Sequence, residues 1–153
     1  MIFQIERLGF EELRSFLRLQ AEDAFPDLKN EKRLNMLAEK WSNNAECSTC
    51  RDEENNLIGM IAFYANGQCA DFAYIPHVYV SPEYRNQGLF VRMLGAVEQS
   101  VKQKGFREIR LEVDVNNTAA IKSYQKNGFE FIKEQMKNEK SYHMNKSLSY
   151  FNK

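Results

Sequence analysis

A chain of 153 residues, 43% hydrophobic and 27% charged, is long enough to bury one core and too rich in apolar residues for disorder to be its default. Its 21 basic and 21 acidic residues cancel, so no bulk positive field recommends nucleic acid or an anionic membrane as partner. No run approaches the roughly 20 apolar residues of a membrane span, and MIFQIERLGFEEL lacks the basic start, apolar stretch and cleavage site of a signal peptide. A single cytoplasmic domain over residues 1–153 is expected.

IFQIERL alternates apolar and polar residues and predicts a short strand that Gly9 ends. FEELRSFLRLQAEDAF carries Phe10, Leu13, Phe16, Leu17 and Ala21 at helical spacing, with Pro26 as the stop. A second helix, about Leu28 to Trp41, is expected to bury Leu34, Met36, Leu37 and Trp41. AECSTCRD and LIGMIAFYA, joined by a turn at Glu53-Glu54-Asn55-Asn56, read as an antiparallel hairpin. Asn66-Gly67 signals another turn, and CADFAYIPHVYV another strand. Inside that strand Pro76 cannot donate a ladder hydrogen bond, so it demands a bulge, an edge or a place where the strand leaves its neighbour.

Leu89 to Lys104 predicts an amphipathic helix with Leu89, Met93, Leu94, Val97 and Val101 inward and Gly105 at its end. REIRLEVDV alternates as a strand, Asn116-Asn117-Thr118 caps a helix to Asn127, and Gly128 ends it. GFEFIKEQ and KSYHMNKSL complete the order β-α-α-β-β-β-α-β-α-β-β, an α/β layered fold with a mixed sheet.

Three cysteines, Cys47, Cys50 and Cys69, are too few for a disulfide framework. Cys47 and Cys50 have CxxC spacing, but no second pair or histidine couple completes a zinc site, and no metal is expected. On a strand an offset of three puts the two thiols on opposite faces, so both read as core. Charge is uneven along the chain. Residues 1–55 hold 8 basic and 12 acidic side chains, a net of −4, which leaves +4 (13 against 9) for the rest. An anionic ligand in the second half fits that asymmetry, and so does scattered solvated charge.

The most informative stretch is VYVSPEYRNQGLF, residues 78–90. A strand runs through Ser-Pro into a turn of arginine, asparagine, glutamine and glycine, and a helix begins. Backbone amides from about Gln87 to Phe90 belong to a first helical turn without intrahelical acceptors, and with the helix dipole they make an anion site. Gly88 allows close approach, and Arg85 can fork onto two phosphate oxygens, so a diphosphate fits. Neither GK[ST] nor GxGxxG is present, which lowers the weight of nucleotide hydrolysis and nicotinamide binding. Downstream, NNTAAIKSYQKNGFEF places Asn117 and Tyr124 seven residues apart on one face of the capped helix.

Together these stretches resemble the GCN5-related N-acetyltransferase (GNAT) superfamily. Its cofactor loop has the form [RQ]xxGx[GA], matched by Arg85 and Gly88, with bulky Phe90 where the family usually has a small residue. Its later helix has the form NxxAxxxYxKxGF, matched at Asn117, Ala120, Tyr124, Lys126, Gly128 and Phe129. The resemblance implies a sheet with a splayed central strand pair that receives acetyl-coenzyme A as co-substrate. The cofactor would lie along Val78, Tyr79 and Val80, its diphosphate on Arg85, Asn86, Gln87, Gly88, Leu89 and Phe90, with contacts from Asn117 and Tyr124. Tyr124 would be the general acid for the leaving thiolate.

The attacking amine must lose a proton, because near its reference pKa of about 10.4 only on the order of one molecule in a thousand is neutral at pH 7. His77 is the candidate base, beside His143 and Asp71 as alternatives. Phe63, Tyr64, Phe72, Tyr74 and Tyr142 could wall an acceptor pocket. A small-molecule primary amine is the expected acceptor. A protein N-terminus or lysine, drawn by Glu11, Glu12, Glu22 and Asp23, is the alternative, and a non-catalytic acyl-coenzyme A-binding module is a second. Either a monomer or a homodimer is expected.

Overall fold

The computed structural model describes residues 1–66, 71–132 and 140–148. Its strands are β1 (Ile2–Glu6), β2 (Glu46–Arg51), β3 (Leu57–Tyr64), β4 (Ala73–Val80), β5 (Glu108–Asp114), β6 (Glu130–Phe131) and β7 (Ser141–Ser147). The helices are α1 (Phe10–Gln20), α2 (Glu31–Asn44), α3 (Leu89–Gln103) and α4 (Thr118–Lys126), with short 3-10 turns at Pro26–Lys29 and Pro82–Tyr84. Apart from those turns, this is the element order expected from the sequence. The strands hydrogen-bond in the order β1-β2-β3-β4-β5-β7-β6. The β4–β5 ladder is parallel, whereas β1–β2, β2–β3, β5–β7 and β6–β7 are antiparallel. Two compact units divide the chain, Met1–Tyr64 with His77–Val97 and Ala65–Pro76 with Glu98–Lys153, and β4 and α3 each continue from one into the other.

In the first unit, Leu13, Phe16 and Leu17 of α1 and Leu34, Ala38 and Trp41 of α2 are buried in one cluster. Spacings of three and four residues put each set on one face. Two boundaries differ from expectation. Helix α1 stops at Gln20, because the Gln20 carbonyl accepts from both Asp23 and Phe25 N–H (3.1 Å each) and the chain turns before reaching Pro26. That proline instead opens the 3-10 turn. Helix α2 starts at Glu31, where the Asn30 side chain accepts from Arg33 N–H at 3.0 Å. Starting there, its inward stripe is Leu34, Ala38 and Trp41, and Met36 faces outward with 52% exposure.

Strand β2 is buried on both faces, so Cys47 and Cys50 are both core residues. Burial pushes the Cys47 thiol up to about 12, which keeps it protonated and unreactive. Cys69 and the turn residue Gly67 lie outside the described residues. Among those described, no three His, Cys, Asp or Glu side chains gather as a metal site, and no helix is long and apolar enough to cross a membrane.

A half-buried ion network centred on buried Arg51 ties β1, α1 and β2 together. Arg51 donates to Glu6 from Nε and Nη2 (3.0 and 3.1 Å), to Glu12 from Nη1 and Nη2 (2.7 and 3.0 Å), and to the Asn55 carbonyl from Nη1 (3.0 Å). These five bonds match the five N–H donors of a guanidinium.

In the second unit, β5 pairs with β7 from Glu108↔Ser147 to Asp114↔Ser141. Ile109, Leu111, Val113 and Met144 are buried, as the alternation in REIRLEVDV requires. Asn117 caps α4 by accepting from Ala120 N–H at 3.1 Å. Gly128, at φ +98°, supplies the left-handed residue that ends it. Strand β4 starts at Ala73; Cys69 and Ala70, where the strand was expected to begin, are not described. Of GFEFIKEQ only Glu130–Phe131 forms a described strand, and residues 133–139 lie outside the description.

Candidate functional site

Strand β4 alternates, with Ala73, Ile75, His77 and Tyr79 buried and Tyr74, Pro76, Val78 and Val80 half-buried. Its backbone alternates as well. Ser81 N–H donates to the Ile58 carbonyl of β3 at 2.8 Å. Residues in step with Ser81, namely Tyr79 and His77, therefore aim their amides at β3, and Val78 and Val80 aim theirs off the opposite edge. Pro76 lies on that same edge. The parallel ladder with β5 comprises Ala73↔Ile109, Tyr74↔Arg110 and Ile75↔Leu111, and so stops at the residue before Pro76. A proline that lacks an N–H explains a break there.

Beyond β4 the 3-10 turn Pro82–Tyr84 leads to Arg85, Asn86, Gln87 and Gly88, all exposed. Two left-handed residues fall within three positions, Asn86 at φ +63° and Gly88 at φ +81°. Turns of this kind curl successive N–H groups toward one concavity and favour an anion there. A Cβ on Gly88 would meet nothing within 4 Å, so the space beside that residue is open. Helix α3 makes its first backbone bond from Arg92 N–H to the Gly88 carbonyl (3.2 Å), which places Leu89 and half-buried Phe90 in the first turn, at the positive end of the dipole. The sequence pointed to Gly88. Asn86 as a second left-handed residue was missed, although asparagine's tolerance for that region was the available signal.

Arg85 is not a loose cation. Its Nε donates to the Val80 carbonyl at 2.8 Å, its Nη2 pairs with Asp23, and its guanidinium lies 5.4 Å from the Tyr79 ring centroid. The Tyr79 hydroxyl donates to the same Asp23 oxygen at 2.8 Å. The hydrogen bond from Arg85, followed by that from Tyr79, holds the Asp23 carboxyl below its ordinary pKa. Burial first and Asp23 second push the Tyr79 phenol up to about 12. Asp23, read from sequence only as part of an acidic groove, is the residue that sequence reasoning misplaced.

His77 is placed differently from an exposed base. Its ring lies between Phe25 (centroids 4.5 Å) and Trp41 (4.9 Å), and its Nε2 is 2.6 Å from Gln20 Oε1. Burial pushes its pKa down to about 4, against a smaller upward pull from Asp27. Between about 4 and the unfolded value of about 6.5 the folded protein binds fewer protons than the unfolded chain. The resulting stabilisation is present above about pH 6.5 and is lost as pH falls toward 4, at roughly 1.4 kcal/mol per unit. Urea unfolding across that window is expected to show a steeper acid loss for wild type than for His77→Gln. Parallel profiles would contradict it.

In the second unit, Tyr124 packs its ring on Phe129 (centroids 5.7 Å), and burial pushes its hydroxyl up to about 12. Asn117 occupies the cap position already described. His143 is half-buried on β7 opposite Glu112, and Asp71 is exposed before β4. Of the aromatic residues considered for an acceptor wall, Phe63 is fully buried and belongs to the core. Phe72 lies under the Arg110 guanidinium at 4.1 Å, Tyr142 packs tilted against Phe131 with centroids 4.8 Å apart, and Tyr64 packs on the first unit's core. Tyr74 is half-buried on β4. Of the acidic side chains, Glu12 is held by Arg51 and Asp23 by Arg85.

The chain matches the acetyltransferase (GNAT) family over residues 10–129. It is 25% identical over 143 residues to spermidine N(1)-acetyltransferase of Thermoplasma acidophilum, covering 84% of this chain and 89% of that protein. It is 30% identical over 113 residues to mycothiol acetyltransferase of Renibacterium salmoninarum, covering 72% of this chain. The chain spans only 21%, 32% and 37% of the length of three of the curated relatives it matches. Among solved structures it resembles the PaiA N-acetyltransferase of Thermoplasma acidophilum in complex with coenzyme A, with a TM-score of 0.69 and 23% identity over 96% of this chain and 99% of that one.

Proposed function

Since the chain belongs to the GNAT acetyltransferase family, we propose that it transfers an acetyl group from acetyl-coenzyme A to the primary amine of a small molecule. The observation that carries this reading is the open turn Asn86–Gly88, with its two left-handed residues, leading directly into α3. Its amides and those of Leu89 and Phe90 receive the diphosphate, with Arg85 assisting. The backbone of Val78 and Val80, aimed off the edge of β4 away from β3, pairs with the pantetheine amides, and Tyr79 between them is held by the core. Asn117 contacts the cofactor from its cap position.

The reaction needs little else. The amine nitrogen attacks the thioester carbon, the oxygen charge that develops is met by the β4 main chain near Val78, and the carbon–sulfur bond breaks. Tyr124 donates its proton to the departing thiolate. The phenol is protonated at neutral pH, as that role requires, and it recovers its proton from solvent after the thiol leaves.

The ammonium proton is assigned to solvent through a water chain. His77 is neutral at pH 7, but its depressed pKa makes it a weak acceptor and its Nε2 is engaged by Gln20. We therefore give it a positioning role, holding Phe25 and Trp41 against β4. A protein acceptor would call for an acidic groove, and the pairing of Glu12 and Asp23 with arginines weakens that reading. Spermidine, the small amine named for the Thermoplasma acidophilum relative above, supports the same class.

Thiol release from acetyl-coenzyme A in the presence of polyamines, amino sugars and peptide amines tests the proposal. Turnover with at least one small amine is expected. Cofactor binding without thiol release for any acceptor would favour a non-catalytic binding module.

A further inference from the structure

Asp23 is a built feature rather than a chance surface acid. Its backbone N–H is fixed to the Gln20 carbonyl at 3.1 Å, and one carboxylate oxygen accepts from both the hydroxyl of buried Tyr79 and Arg85 Nη2. Nη2 is the nitrogen shared by the two donor edges with which a guanidinium forks onto an oxyanion. Nε is already given to Val80. An incoming diphosphate therefore meets a guanidinium whose charge is countered by Asp23 and one of whose Nη2 N–H groups is already given.

We infer that Asp23 is an internal counter-anion that sets the affinity for the diphosphate-bearing cofactor: the phosphate oxygens compete with its carboxylate for Arg85. Asp23 thus acts through Arg85 as a positioning residue that lies outside the [RQ]xxGx[GA] motif. The inference rests on the reading of the Arg85–Phe90 turn as a diphosphate site, and it deepens that reading.

Two consequences distinguish it from a merely structural role. Removing the Asp23 charge should tighten binding, the reverse of what loss of a structural contact does. The effect should also depend on the diphosphate, because pantetheine lacks the group that competes for Arg85.

Calorimetric titration of coenzyme A and of pantetheine into the full chain provides the test. Asp23→Asn is expected to bind coenzyme A about fivefold more tightly than wild type, the order an exposed ion pair allows. Pantetheine affinity should be unchanged, and Asp23→Glu, which restores the charge, should bind as wild type does. In an Arg85→Gln background, Asp23→Asn should no longer tighten binding, because the two residues act as one couple.

Equal or weaker coenzyme A binding by Asp23→Asn would overturn the inference. So would tightening that extends to pantetheine or survives in the Arg85→Gln background. If wild type itself does not bind coenzyme A, the diphosphate reading falls, and the inference falls with it. That outcome is separate from indifference of the variants.

Discussion

Replacing Tyr124 with phenylalanine is expected to lower kcat by roughly 10²–10⁴-fold while leaving coenzyme A affinity within about twofold. The hydroxyl is the only group lost, and the ring keeps its packing on Phe129. An acid that acts on the leaving thiolate contributes in the transition state and little to ground-state binding. Steady-state kinetics with the best amine from the panel, beside a coenzyme A titration, checks both halves. A variant with undiminished kcat would remove Tyr124 from the chemistry. A variant that lost affinity and turnover equally would make it a binding residue.

The second large effect concerns stability. Arg51→Ala is expected to destabilise the fold by about 3 kcal/mol, the lower end of the range for breaking a buried ion pair, because Glu12 keeps substantial contact with water. The arginine side chain is only 6% exposed. Its removal leaves the Glu6 and Glu12 carboxylates facing each other without a cation and the Asn55 carbonyl without its donor. The shift in urea midpoint measures this, with the slope unchanged if unfolding stays two-state. A loss below about 1 kcal/mol would mean that solvent replaces the arginine with ease.

These two residues mark what the sequence could and could not convey. Tyr124 lies in a local pattern, where a cap asparagine, a glycine stop and helical spacing all fall within thirteen consecutive residues, and the structure forms that cap and that stop. The inward stripe of α3 was legible for the same reason: Leu89, Met93, Leu94, Val97 and Val101 follow one helical period, and all five are buried. Arg51 is 45 residues from Glu6 and 39 from Glu12, and Asp23 is 62 from Arg85. No periodicity or turn chemistry records partners at such separations.

The misplaced boundaries have a similar cause. The end of α1 is set by one carbonyl that accepts two N–H groups, and the start of α2 by Asn30, whose cap was overlooked because Leu28 extended the apolar pattern. The fate of His77 was equally hidden. An imidazole next to a proline on a strand looks accessible until Phe25 and Trp41, from two other parts of the chain, close over it.

Cofactor binding as proposed depends on the amides of residues 87–90, at the start of α3, holding a diphosphate. Following backbone amide 1H–15N resonances while coenzyme A is titrated tests it most directly. The largest shifts are expected at Gln87, Gly88, Leu89 and Phe90, and are absent when pantetheine replaces coenzyme A. Binding that leaves those four amides unmoved, or moves them equally with pantetheine, would contradict it.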